Sequence, residues 1–211
     1  MTTRRTSNER ESALIDATLA CIAREGISAA TVRNIADYAG VTNGLIRFYF
    51  KSKDGVLQAA YRRFLERLFE AADAAVDDGN ATTPCERLER YLQANLSPPI
   101  VTPDSLLLWA NFLPLAQHDA AMAEIRAHWY RRTTHAFRDL IRGALEEQGR
   151  TPSHTELRRL SVAVNGLIDG LWIEGALSAE TLDLHELQAI GLDAASRLLG
   201  VPLGKSGTGT D

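Results

Sequence analysis

Cysteine is scarce in this chain. Cys21 and Cys85 are the only two, too far apart for a CxxC zinc or redox motif, and both read as packed thiols rather than a disulfide framework. The five histidines, His118, His128, His135, His154 and His185, fall at no HExxH or similar ligand spacing, so no metal is expected. Also missing are a Ser/His/Asp or Cys/His constellation, a phosphate-cradling glycine loop and an acid–base pair at fixed spacing, which argues against an enzyme and leaves no cofactor to expect. No apolar run approaches the roughly 18 residues that cross a bilayer, and residues 1–10 are polar with no signal-peptide core. The expectation is therefore a cytoplasmic protein with no membrane partner. Strand patterns are nearly absent as well.

What is there suffices for a folded core. Hydrophobic residues make up 45% and charged residues 24%, with both signs interspersed, as in an ordinary globular chain of one large or two small domains. The net charge of −4 is unevenly spread: up to Lys53, eight basic residues oppose five acidic ones, so this end carries +3 and the remainder −7. A basic end on an acidic body suits docking to phosphates through one part only. Helical periodicity predicts an all-α chain of about nine helices, over 8–25, 31–39, 42–48, 53–77, 84–96, 103–116, 119–148, 154–178 and 183–199. Gly26, Gly40, Asp78-Gly79-Asn80, Ser97-Pro98-Pro99 and the 149–152 stretch supply the breaks. Residues 201–211 read as a disordered tail, rich in Gly, Ser and Thr from Gly204 onward.

Residues 31–46 have the spacing of a tight two-helix turn. Ala36 is small where a second helix must cross, and Gly40 can take the positive φ that ends the first. Val41 and Ile46 would plug the wedge, and the Thr31 and Thr42 hydroxyls stand where N-caps belong. Taken alone, an Ala-to-Gly step with flanking aliphatics also suits any helical hairpin. The helix opening at Thr42, however, exposes Thr42, Asn43, Arg47 and Phe48, side chains able to reach base edges and phosphates in a major groove. Ser52 then caps a long helix whose free amides, with Lys53, form an anion site fit for a backbone phosphate.

Over residues 14–57 the chain resembles the TetR family of bacterial repressors, through Ala17, Gly26, Thr31-Val-Arg-Asn-Ile-Ala, Gly40-Val41, Gly44, Tyr49-Phe50 and Lys53. Gly44-Leu-Ile, Tyr49-Phe50 and Lys53-Asp54-Gly55 are similar to the BetI branch, whose better-known members respond to choline. The resemblance implies a three-helix helix-turn-helix domain over 1–52 and a helical ligand-binding and dimerisation domain over 53–200. It places Thr31, Arg33, Thr42, Asn43, Gly44, Arg47, Phe48, Tyr49 and Lys53 at DNA, with Phe50 in the core. Arg47 stands where many members carry a phosphate-contacting Tyr, so contact geometry and base preference would differ. Arg4 and Arg5 would add sequence-independent attraction, or simply be disordered.

The three tryptophans, Trp109, Trp129 and Trp172, lie on three different predicted helices and suit either an aromatic core or a cavity wall. Asn165, Asp169 and Trp172 share one helix face, and a buried carboxylate there needs a cationic ligand, an Arg of the same chain or solvent at a dimer edge. Resemblance to the BetI branch implies a quaternary ammonium or polyamine effector held by aromatic faces and an acid. The expected lining is Trp109, Asn111, Phe112, Trp129, Asn165, Asp169 and Trp172. Two bundle-type stripes, Leu157, Leu160, Val164, Leu167, Leu171 and Leu184, Leu187, Gly191, Ala194, Leu198, are shared between the chain's own core and a homodimer interface. The functional expectation is a dimeric repressor of a palindromic DNA operator, released by a small molecule. A ligand-independent or activating regulator would look the same from sequence.

Overall fold

The computed structural model describes residues 7–76, 81–178 and 180–204. Arg4, Arg5, the 78–80 turn and residues 205–211 of the expected tail lie outside the described residues. Among those described there are nine α-helices and one 3-10 turn: α1 (Ser7–Glu25), the 3-10 turn (Ile27–Ala29), α2 (Val32–Ala39), α3 (Asn43–Phe50), α4 (Lys53–Ala74), α5 (Pro84–Asn95), α6 (Pro103–His118), α7 (Ala120–Glu147), α8 (His154–Leu177) and α9 (Leu184–Leu199). The predicted spans agree to within about three residues at each end, as expected where boundaries carry chemical signals. Thr83, for example, forms a capping box with Glu86 ahead of Pro84, and Ser153 and Asp183 cap α8 and α9 through Glu156 N–H and Glu186 N–H.

The helices form two compact units, Met1–Arg67 with Asp104–His128, and Leu68–Pro103 with Trp129–Asp211. The core of the first gathers Leu14, Ile22, Ile35, Ile46, Val56, Tyr61 and Phe112, each fully buried aliphatic contributing about 1.5–3 kcal/mol. Phe112 is completely buried and stacks on Tyr61 with ring centroids 4.7 Å apart. An Arg67–Asp16 pair at 2.6 Å joins α4 to α1, but both partners are about half exposed, so it contributes little. In the second unit Leu88, Leu92, Ile141, Leu145, Val164, Leu187 and Ala195 are buried, and Tyr91 meets Phe137 edge to face. Cys21 and Cys85 are both free and buried, and burial pushes the Cys85 thiol up to about 11, with Glu147 adding to the shift.

One expectation needs correction here. Residues 201–204, assigned to the tail, are held in place: Val201 and Leu203 are buried, Ser196 Oγ donates to Val201 O at 2.6 Å, and Gly204 N–H donates to Glu89 at 2.8 Å. Two apolar side chains and a helix-end serine outweigh the loop-like composition around them. By length and average composition alone α8 resembles a membrane-crossing helix, as helices of soluble proteins also can, but Asn165, Asp169 and Glu174 interrupt it, so no uninterrupted apolar run reaches the span expected of one.

Candidate nucleic-acid interface and effector region

The turn between α2 and α3 is built from local chemistry. Thr31 Oγ1 accepts from Asn34 N–H at 3.1 Å and caps α2. Gly40 ends α2 in the left-handed region, at φ 64°, and Val41 N–H donates to Ala36 O at 3.0 Å to close the turn. Thr42 holds the extended N-cap conformation, but its hydroxyl accepts no capping bond, so the predicted side-chain cap is absent. Lys51, at φ 66°, ends α3, and Ser52 Oγ accepts from Gly55 N–H at 3.0 Å to start α4.

This geometry sorts the side chains of α3. Ile46 and Phe50 are buried, Leu45 and Tyr49 are half-buried, and Asn43, Gly44, Arg47 and Phe48 stand on one exposed face. Thr31, Arg33 and Thr42 are also exposed, and Lys53 is half-buried at the first turn of α4. Tyr49 Oη accepts from Ser7 Oγ at 3.3 Å. Lys51 was not singled out from sequence. Its positive φ and its ammonium donating to Phe48 O at 3.3 Å make it the residue that ends α3 and aims the chain into α4. A positive-φ lysine carries no sequence signal.

The angle between α1 and α2 is held by a network the sequence did not reveal. The Glu25 carboxylate accepts from Tyr38 Oη at 2.6 Å and from Asn34 Nδ2 at 3.0 Å, and Asn34 Nδ2 also reaches Ala29 O at 3.0 Å. The Tyr38 bond, then the Asn34 bond, holds the Glu25 carboxyl below its ordinary range. A depressed carboxyl contributes stability that is present above its unfolded-state pKa and lost as pH falls through the folded one. A Glu25→Gln variant should therefore melt lower than wild type at pH 7, and the gap should close as pH drops below about 4. Thermal unfolding followed by circular dichroism at both pH values checks this, and a gap unchanged by acid would remove the charge from the explanation.

The residues expected to line an effector pocket have other partners. Asn111 Oδ1 accepts from Ile27 N–H at 2.9 Å, which puts its carboxamide to work holding the 3-10 turn. Phe112 is core, and Trp109 is half-buried on α6. In the second unit, Trp172 Nε1 donates to Ile100 O at 2.7 Å. Trp129 packs on Phe69 at 5.5 Å, with the Arg132 guanidinium 4.1 Å over Phe69 and 5.0 Å over Trp129. Asp169 accepts from Asn165 Nδ2 at 2.8 Å on the outer side of α8, where partial desolvation raises its pKa against the lowering effect of that bond. A cleft of about 620 Å³ does open in this unit, between the end of α4, the start of α5 and the middle of α7. Asp73, Thr83, Arg87, Tyr91 and Asp139 are among its lining, and none of the seven expected residues is. Burial, and then Asp73, pushes the Tyr91 phenol upward, so it stays neutral.

The two expected dimer stripes are divided by the fold. Leu157, Val164, Leu187 and Gly191 are buried within the protomer, Leu160, Leu167, Leu171 and Ala194 are half-buried, and Leu184 and Leu198 are exposed. Gly191 permits a close approach inside the protomer, since a Cβ there would lie 2.3 Å from Leu96 Cδ1. The apolar surface left open on α8 and α9 includes Leu184 and Leu198 of the expected stripes but lies mostly beside them, at Val162, Gly166, Gly170, Leu177 and Ile190.

Residues 14–60 match the family described as bacterial regulatory proteins, tetR family, and residues 84–200 match the BetI-type transcriptional repressor C-terminal domain. The HTH-type transcriptional regulator BetI of Serratia proteamaculans is 31% identical over 183 residues, covering 87% of this chain and 88% of its own. BetI of Pectobacterium atrosepticum is 31% identical, covering 87% and 91%. Among solved structures, a transcriptional regulator from Pseudomonas aeruginosa superposes with a TM-score of 0.84 at 27% identity, covering 94% of both chains. A regulator from Saccharomonospora viridis in complex with choline gives a TM-score of 0.75 at 22% identity, covering 89% and 95%, a likeness of fold.

Proposed function

The chain belongs to the TetR family of bacterial transcriptional regulators, with a BetI-type C-terminal domain, and from that premise we propose that it is a homodimeric repressor which leaves its operator when a small organic cation binds. The observation that carries the DNA-binding part is the outward face of α3, where Asn43, Gly44, Arg47 and Phe48 are exposed while Ile46 and Phe50 anchor the helix. A short helix held from one side and carrying an amide, a guanidinium and a phenyl ring on the other fits a major groove, with Thr31, Arg33, Thr42, Tyr49 and Lys53 flanking it toward phosphates. The functional division follows: residues 1–52 read DNA, and 53–200 sense and dimerise. A mobility-shift assay on duplexes selected from a randomised pool, with scrambled DNA as competitor, tests this reading. Sequence-selective binding that survives moderate salt supports it, and binding that scrambled DNA competes away equally overturns it.

The dimer is proposed to form through the open faces of α8 and α9, because an apolar helix only one-third buried in its own protomer asks for a cover. The two-fold axis would set two copies of α3 about 34 Å apart, or a multiple of that. A Val162→Arg/Ile190→Arg variant, with both sites already exposed in the protomer, should keep its helicity and run at half the wild-type mass in light scattering. An unchanged mass would move the interface elsewhere.

Cation sensing is supported by the Phe69–Trp129 pair, aromatic faces of the kind that attract cations, over which the protein's own Arg132 guanidinium lies. Asp73 lies 3.8 Å from Arg132 and also lines the cleft, so an arriving cation would meet the same acid. Calorimetric titration with choline, repeated on Asp73→Asn, tests it. Heat of binding lost in the variant supports the reading, and no binding by wild type rejects the cation class represented by choline.

A further inference from the structure

Phe48 is 68% exposed, the most exposed aromatic among the large hydrophobic residues described, and it sits on the α3 face that also carries Asn43 and Arg47. Its ring meets Tyr49 edge to face, with centroids 5.1 Å apart, which limits the directions it can take. Gly44 lies one helical turn earlier on the same face, and a Cβ built there would have only Thr42 Oγ1 within 4 Å, at 3.9 Å. Nothing inside the protomer therefore requires a glycine at this place, although glycine weakens a helix. The glycine leaves an open notch beside an unsheltered phenyl ring, bordered by a hydroxyl that makes no capping bond.

We propose that Phe48 and the Gly44 notch together receive the 5-methyl group of a thymine in each half of the operator. The inference rests on the reading of α3 as the DNA reader and adds the base chemistry it selects. A phenyl ring has no donor or acceptor with which to read the polar part of a base edge, and none to offer a phosphate. Of the four base pairs, only those containing thymine place an apolar group on the major-groove edge. Arg47 and Asn43, on either side, would hold the duplex while the ring and the notch exclude water from the methyl.

The test uses the full chain and the tightest duplex selected from a randomised pool. Each thymine is replaced in turn by uracil, which removes the methyl and leaves the hydrogen-bonding edge intact, and affinity is read by fluorescence anisotropy. A uracil in one half-site only should weaken wild type about fourfold, the factor associated with one buried methyl-sized group. Replacement in both half-sites should weaken it by roughly fifteenfold. Phe48→Ala should bind thymine and uracil duplexes alike, while Phe48→Leu keeps part of the discrimination. Matching thermal unfolding of the variants would show that the fold is retained. Wild type indifferent to uracil at every position, or Phe48→Ala as sensitive as wild type, overturns the proposal while leaving α3 as the reader. Selection that enriches no duplex overturns both.

Discussion

An Asn43→Ala/Arg47→Ala variant is expected to bind its selected operator at least about a hundredfold more weakly than wild type, with no measurable change in melting temperature. The size follows from the chemistry of the two side chains. A well-placed polar contact to a base edge discriminates by about 1–3 kcal/mol, and two such contacts are lost in each half-site. Stability should hold because both residues are exposed, and surface substitutions of this kind usually stay within about 0.5 kcal/mol. The salt dependence separates the roles. If Arg47 contacts a phosphate, the slope of log affinity against log salt should fall by about one for each phosphate released; if it contacts a base, the slope should be retained. Affinity within threefold of wild type would remove α3 from the DNA, and the proposed repressor with it.

A Gly55→Ala change in the first turn of α4 should destabilise the protein by about 3 kcal/mol or more, the upper range for overpacking, and lower the melting temperature by roughly 10 °C. General helix chemistry points the other way, since exchanging glycine for alanine within a helix typically stabilises by about 0.4–1 kcal/mol. Here the new Cβ would lie 2.1 Å from Phe50 O and 3.2 Å from Phe50 C, and backbone cannot swing aside as a side-chain tip can. Yielding would pull Phe50 from the core and tilt α3, so operator binding should be lost with the fold. Gly44→Ala supplies the contrast: its Cβ would meet only Thr42 Oγ1, at an unstrained 3.9 Å, so it should raise stability by about 0.5–1 kcal/mol while weakening DNA binding. Chemical denaturation of both variants decides, and a neutral Gly55→Ala would show that the α3–α4 joint is looser than this geometry requires.

The helix spans, the α2–α3 turn and the exposed face of α3 were legible in the amino-acid order because their causes are local. Thr31 bonds three residues ahead, Gly40 turns at its own φ, and an apolar period near 3.6 marks the buried side. The effector lining was not legible in the same way. Asn111 finds its partner 84 residues away and Trp172 finds its own 72 away, and no short-range pattern encodes either meeting. The aromatic residues signalled burial without saying against what, so Phe112 became core and Trp129 took a guanidinium from its own helix.

The same division holds for α8 and α9. Sequence by itself determined that both are helices with more apolar surface than one seam uses, because periodicity is a property of each helix alone. Only tertiary structure decided that Leu157, Val164, Leu187 and Gly191 face inward, and that Val162, Gly166, Gly170 and Ile190 are left outside. Which side of a helix is buried depends on the shape of the surface it meets, and that surface is assembled from residues far away along the chain.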